Sequence, residues 1–258
     1  MCELLGMSAN VPTDIVFSFT GLVQRGGRTG PHRDGWGIGF YEGRGLRLFH
    51  DPVASADSQI AELLRRYPVK SRNVIGHIRQ ANVGGVALAN THPFAREFGG
   101  RYWCFAHNGQ LRAFAPRPGF YSPVGDTDSE AAFCDLLNRL RTVYPSNLPE
   151  EPQRWLPVVV DACDEYRARG VFNMLLSNGD WLLSYCTTRL VHITRRAPFG
   201  PARLKDADLT VDFRAETTPN DIVTVIATEA LTENETWTAH RPGQWRLWQD
   251  GSIVAQGG

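Results

Sequence analysis

The chain has 258 residues, of which 42% are hydrophobic and 21% charged, ordinary globular proportions that exclude a disordered or fibrous class. Lys and Arg number 27, as do Asp and Glu, so the formal net charge is zero. That removes the electrostatic case for nucleic acid or an anionic membrane as partner and points to a small molecule instead.

Five scattered cysteines (Cys2, Cys104, Cys134, Cys163 and Cys186) include no CxxC pair, which argues against a disulfide framework or a thiolate zinc site and fits a reducing, cytoplasmic compartment. No apolar run approaches the ~18 residues of a membrane span, and no basic leader opens the chain.

In chain order, Cys2 to Met7 is an apolar stretch suited to a strand, and Ser8 to Pro12 has turn chemistry. Asp14 to Arg25 spaces its apolar residues for a helix, broken by Gly26 to Gly30. Trp36 to Tyr41 and Leu46 to His50 flank a turn at residues 42–45 and read as a hairpin; Ala56 to Tyr67 reads as an amphipathic helix. Val74 to Arg79 is a strand that runs into a polar loop from Gln80 to Pro93. Arg101 to Ala106 and Gln110 to Phe114 read as two strands around Asn108-Gly109.

Ser129 to Tyr144 is a helix capped by Asp126-Thr127-Asp128, and Gln153 to Arg169 is another. From Phe172 onward the pattern is of strands, with a tight turn at Asn178-Gly179, a polar excursion over residues 195–218, and a terminal strand pair. Strands in groups with helices between the groups define an α+β plan, with no linker or repeat dividing residues 1–258, so one domain is expected.

Cys2 is the candidate nucleophile. If the initiator Met is removed, one residue carries both a thiol and a free α-amine, which titrate near ~8.5 and ~7.7–8.0, so the amine can act as base for its own thiol. The neighbouring Glu3 to Met7 supplies no basic residue of the kind that accompanies lipidated cysteines. The Gly-rich stretch Gly35 to Gly39 has the wrong spacing for a dinucleotide loop, and His77, His92 and His107 with Cys104 lack the second pair of a metal site. Asn108-Gly109 fits either a hairpin turn or a pair of oxyanion donors. Arg79 suits an ion pair at a sheet edge or bidentate capture of a carboxylate. Of Asp126 and Asp128, one is expected to cap the helix and the other to be able to bind an amine.

Taken together, Met1-Cys2, Gly76 to Ala81, Asn90-Thr91-His92-Pro93, Ala106 to Gly109 and Asp126 to Glu130 run in the order and approximate spacing of the class II glutamine amidotransferases, which this chain resembles. CELLGMSAN, PHRDGWGIGF, GVFNMLLS and TPNDIVTVIAT extend the resemblance, to stand-alone members of that family, nearly to the C-terminus.

The resemblance implies an N-terminal-nucleophile hydrolase: a four-layer αββα sandwich, two stacked and mainly antiparallel sheets covered by helices. It implies that Cys2 attacks the γ-carboxamide of glutamine to form a γ-glutamyl thioester, with Asn108 and Gly109 holding the oxyanion. Arg79, Asn82, His92 and Asp128 are the implied substrate-binding residues, Arg79 for the α-carboxylate and Asp128 for the α-ammonium. No cofactor is implied.

Many members have Trp and Thr where this chain has Gln80 and Asn82, which leaves open whether the substrate is glutamine or another γ-glutamyl amide. No fused synthase domain is expected in residues 1–258, so ammonia would pass to a separate enzyme if to any. The alternative in another functional class is a non-catalytic module that senses glutamine-like ligands. No sequence pattern specifies an oligomeric state.

Overall fold

The computed structural model describes residues 2–82 and 84–258, apart from the side chains of residues 215 and 216. In chain order the elements are β1 (Glu3–Asp14), α1 (Val16–Arg25), β2 (Trp36–Glu42), β3 (Gly45–Asp51), α2 (Gln59–Arg66), β4 (Lys70–Ile78), β5 (Phe94–Phe98), β6 (Arg101–Leu111), α3 (Asp128–Val143) and α4 (Pro152–Arg167). There follow β7 (Gly170–Ser177), β8 (Leu182–Tyr185), β9 (Val191–Arg196), β10 (Pro201–Arg203), β11 (Thr210–Asp212), β12 (Ile222–Ala227), β13 (Thr238–Ala239), β14 (Trp245–Gln249) and β15 (Ser252–Gly257). Among the described residues, no helix is long and apolar enough to cross a membrane.

Two sheets organise these strands. One runs β13-β9-β12-β1-β4-β2-β3 and the other β15-β14-β8-β7-β6-β5, with every neighbouring pair antiparallel. Side chains on a strand alternate between faces, and the alternation shows how the layers stack. On β1, Leu5, Met7 and Ala9 pack with Phe19, Leu22 and Val23 of α1 and Leu64 of α2, whereas Leu4 belongs to a different cluster with Ile75, Ala106, Leu175, Ile226 and Trp248. On β6 and β7, Phe105, Phe172 and Met174 turn outward to Phe133, Leu137 and Val159 of α3 and α4. The chain is therefore a helix–sheet–sheet–helix stack with three apolar layers, the middle one shared by the two sheets. Gly6 lies at that middle layer, where an added Cβ would come within 3.1 Å of Leu175 Cδ1 and of Leu182 Cδ2.

Three sequence expectations are corrected. Ser8 to Pro12 is not a turn: β1 continues through it to Asp14, with a shift in register against β4 between Ser8 and Thr13 that accommodates the polar residues. Asn108-Gly109 is not a hairpin turn, because β6 runs unbroken from Arg101 to Leu111 and pairs with β7 throughout. The chain reverses only after Leu111, where Ala113 takes the left-handed conformation at φ 48°. The cap of α3 is neither aspartate but Thr127, whose hydroxyl accepts the Glu130 N–H at 3.2 Å. By contrast, the β2–β3 hairpin stands as expected, with Glu42 opposite Gly45, and so does the turn at Asn178-Gly179, where Gly179 has φ 97°.

The polar excursion at residues 195–218 carries the short β10–β11 hairpin. A buried ion-pair cluster ties the start of β1 to the end of α1. Arg25 meets Glu3 Oε2 at 2.9 Å and Asp206 Oδ2 at 2.8 Å, and donates to the carbonyls of Glu229 and Ala230.

Because Leu175 is fully buried in the layer between the sheets, Leu175→Ala should lower unfolding free energy by about 2–5 kcal/mol. Urea denaturation followed by tryptophan fluorescence measures this; an unchanged midpoint would mean the sheets do not pack there.

Candidate active site

The same alternation delivers the candidate residues to one end of the space between the sheets. Leu4 faces the second sheet, so Cys2, two residues earlier, falls on that side; Ile75 does the same on β4, followed at two-residue intervals by His77 and Arg79. On the facing sheet, Cys104 and Ala106 lie in the middle layer, and Asn108 follows them. The N-terminus of α3 closes the end. A narrow cleft results, lined by Cys2, Arg79, Gln80, Ala81, Asn82, His92, His107, Gly109, Gln110, Thr127, Asp128 and Ser129. Six of the seven predicted site residues thus share one cleft, while Asn108 lies just beneath its surface, 1% exposed.

The Cys2 thiol is held by the backbone of Gln80: its sulfur accepts the Gln80 N–H at 3.3 Å, and its S–H lies 3.5 Å from the Gln80 carbonyl oxygen. Burial pushes the thiol above its ordinary pKa, against the Gln80 hydrogen bond and the Arg79 charge, which lower it. This corrects the expectation of an unperturbed thiol. Met1, on whose removal a free Cys2 amine depends, lies outside the described residues.

Arg79 is buried at 2% exposure and donates to the carbonyls of Gly85 at 2.9 Å and Gly84 at 3.2 Å, holding the loop after β4 to the end of that strand. That loop is pinned further by Asn90, whose amide donates to Gly85 O at 3.0 Å and to Asp126 Oδ1 at 2.6 Å. Asp126 therefore serves the loop and not the helix cap. Asp128 occupies the first turn of α3, where the helix dipole favours a carboxylate, and accepts the Leu111 N–H at 2.6 Å. Asn82 stands exposed on the rim.

Two histidines, His92 and His107, line the cleft, and a third, His77, lies buried behind His92. His77 stacks on His92 with ring centroids 4.1 Å apart, and His92 packs in turn on Phe94 at 4.4 Å. His107 Nε2 donates to Val171 O at 3.0 Å, which leaves Nδ1 to accept from the Ser129 hydroxyl at 2.8 Å. This pair of bonds fixes the α3 N-terminus against β6 beside Asn108. Burial drives the pKa of His77 down to about 3 and that of His92 well below the usual range, while for His107 burial outweighs the upward pull of Asp128. His92 is therefore a neutral ring.

Several contributors escaped sequence reasoning. Gln80 acts through its backbone, which no side-chain pattern reveals. Thr228, directly after β12, accepts the Leu4 N–H at 2.9 Å and the Asn108 Nδ2–H at 3.4 Å. Asn173, opposite Asn108 in the β6–β7 register, donates to Asn108 O at 3.1 Å and accepts the backbone N–H groups of Thr187 and Thr188. The available signal was a polar residue in or at the end of an apolar strand, Asn173 in GVFNMLLS and Thr228 closing DIVTVIAT. A separate cavity of about 340 Å³, lined by residues such as Met7, Phe17, Phe199 and Phe213, lies on the helix side of the first sheet and holds none of these groups.

The family profile of the class II glutamine amidotransferases matches residues 1–258, and the chain belongs to that family. It is 60% identical over 255 residues to YafJ of Escherichia coli (strain K12), covering 98% of this chain and 100% of YafJ. A crystal structure of a predicted glutamine amidotransferase from Pseudomonas aeruginosa is 66% identical and superposes with a TM-score of 0.80 over 98% of this chain and 100% of that one. The glutamine phosphoribosylpyrophosphate amidotransferase of Bacillus subtilis shares the fold at 15% identity, with a TM-score of 0.61, over 99% of this chain and 49% of that one. The stacked antiparallel sheets are thus a fold this chain shares with solved glutamine amidotransferases.

Since His77 and His92 stay neutral in the fold while unfolded histidines titrate near ~6.5, the unfolded chain binds more protons below that pH. Thermal stability should be level above about pH 7 and fall progressively as the pH drops from ~6.5 toward ~4. Melting temperatures across that range check the sign; a rise on acidification would contradict neutral, buried rings.

Proposed function

We propose that the chain hydrolyses the γ-carboxamide of glutamine, or of a related γ-glutamyl amide, through a thioester on Cys2. The observation that carries this reading is the Cys2 sulfur held by the Gln80 backbone in a cleft also lined by Arg79, Gly109 and Asp128. A buried guanidinium and a carboxylate at a helix N-terminus match the two charges of a free amino acid, and they line the same cleft as the thiol from different elements.

With the initiator Met removed, the Cys2 amine takes the thiol proton as sulfur attacks the amide carbon. A C–S bond forms, and charge develops on the carbonyl oxygen. The Asn108 amide and the Gly109 N–H stabilise that oxyanion. The C–N bond then breaks, the amine returns the proton to the departing ammonia or amine, and water hydrolyses the thioester to free glutamate and restore the thiol. Arg79 binds the α-carboxylate and Asp128 the α-ammonium, with neutral His92 and Asn82 shaping the floor and rim. A raised thiol pKa makes the neighbouring base necessary, because little thiolate forms unaided near neutral pH. The released ammonia is free to serve a separate enzyme.

Glutamate release from glutamine and from γ-glutamyl amides, measured with Met-processed protein, tests the proposal. Cys2→Ala should abolish turnover, and Asn108→Ala should lower kcat by roughly 10²–10³-fold, about 2.7–4 kcal/mol in the barrier. Arg79→Gln should raise KM more than it lowers kcat, since the carboxylate contact is present in ground and transition states alike. Turnover by Cys2→Ala equal to that of the unsubstituted protein would sink the nucleophile assignment.

A further inference from the structure

Thr228 sits where the nucleophile strand, the last central strand of the first sheet and the oxyanion strand of the second sheet meet. Leu5 of β1 pairs with Ala227 of β12, so the next rung of the ladder brings Leu4 opposite Thr228. The Thr228 N–H donates to Leu4 O at 3.2 Å as an antiparallel rung requires, but the Leu4 N–H donates at 2.9 Å to the Thr228 hydroxyl instead of its carbonyl. A side chain has replaced the backbone acceptor at the last rung. That exchange turns the hydroxyl, 2% exposed, across the gap between the sheets to the Asn108 amide.

A hydroxyl offers one donor and two acceptor positions. With Asn108 Nδ2 donating to Thr228 at 3.4 Å, both acceptor positions are filled, the hydroxyl proton has no acceptor among the described residues, and Asn108 Oδ1 is buried without a partner. A half-turn about the Asn108 Cβ–Cγ bond exchanges two atoms of nearly equal size and removes both deficits, in exchange leaving the two Nδ2 protons for a ligand to accept. The hydroxyl then donates to Oδ1 while still accepting from Leu4, and both Nδ2 protons turn away from Thr228.

We propose that Thr228 is the positioning residue of the oxyanion site, its hydroxyl anchored on the Leu4 N–H and holding Asn108 Oδ1 so that Nδ2 faces the reacting carbonyl. The same hydroxyl ties that donor to the strand whose start carries Cys2, so nucleophile and oxyanion donor keep one mutual position. This rests on the oxyanion role proposed above for Asn108.

Thr228→Val keeps the shape and removes the hydroxyl; Thr228→Ser keeps the hydroxyl. Thr228→Val should lower kcat for glutamine hydrolysis about 10-fold or more, part of the 10²–10³-fold typical of losing an oxyanion donor outright, with KM within about twofold. Thr228→Ser should restore most of that loss, and the rate of Cys2 alkylation by iodoacetamide should be the same in both variants, a readout that a general loosening of the fold would move. Combined with Asn108→Ala, Thr228→Val should add almost nothing, because both act on one donor.

If Thr228→Val does not fold, as circular dichroism would show, Thr228→Ala enters the same double-substitution comparison. Losses that multiply in the double variant, or a hydroxyl-free variant with undiminished kcat, overturn the proposal while leaving the oxyanion reading in place. Undiminished kcat in Asn108→Ala overturns both.

Discussion

The apolar layer between the two sheets is the constraint from which the rest follows. Leu4, Ile75, Ala106, Leu175, Leu182, Ile226 and Trp248 occupy it from both sides, and Gly6 admits the facing leucines closely enough that no side chain is wanted there. Each of these residues sits on a strand whose alternate positions pack against helices, so a shift of any strand by one residue would exchange a core face for the wrong partner. Register is therefore strongly set on β1, β4 and β6 together. Once it is set, the residues that continue each strand past the apolar layer, Cys2, His77 with Arg79, and Asn108, all emerge at the same end and on the same side.

What terminates the apolar layer is a shell of polar groups with little access to water, and their partners explain why the end is ordered. His107 bridges Val171 and Ser129, Asn173 gathers the turn at residues 187–189 under Asn108, and Asn90 joins the loop after β4 to Asp126. Burial keeps the histidines neutral, so the positive charge of the site resides in Arg79 and its negative charge in Asp128, on opposite elements. A further buried cluster, Arg25 with Glu3 and Asp206, restrains the residue immediately after Cys2 from the helix side. Cys2 thus stands at the end of a strand fixed from both faces, so the thiol of the proposed reaction is held in place before a substrate arrives. Removal of one partner from such a cluster leaves a buried charge uncompensated, so its role in the fold is larger than its count of contacts suggests.

The local reading of the sequence succeeded where short-range chemistry is decisive. Apolar spacing marked α1, α3 and α4, and the β2–β3 hairpin and the turn at Asn178-Gly179 followed from glycines at reversals. It failed at Asn108-Gly109 and at Ser8 to Pro12, in both cases because pairing with a neighbouring strand overrode a local turn preference. It missed β5, an edge strand paired with β6 at the end of the second sheet. The helix-cap reading failed differently: Thr127 and the two flanking aspartates are all competent caps, and only the surroundings, Asn90 beside Asp126 and the Leu111 N–H beside Asp128, allot the carboxylates elsewhere.

By itself, then, the sequence determined the class of fold, the ordered set of motif residues and the chemistry each side chain could perform, because composition, periodicity and functional groups are properties of the chain. The tertiary structure alone decided that a strand passes straight through Asn108-Gly109, that the Gln80 backbone grips the thiol, that burial raises its pKa, and that Thr228 reaches Asn108 across the gap. Those facts depend on desolvation and on contacts between residues as far apart as 78 and 120 positions in the chain, which no local pattern encodes.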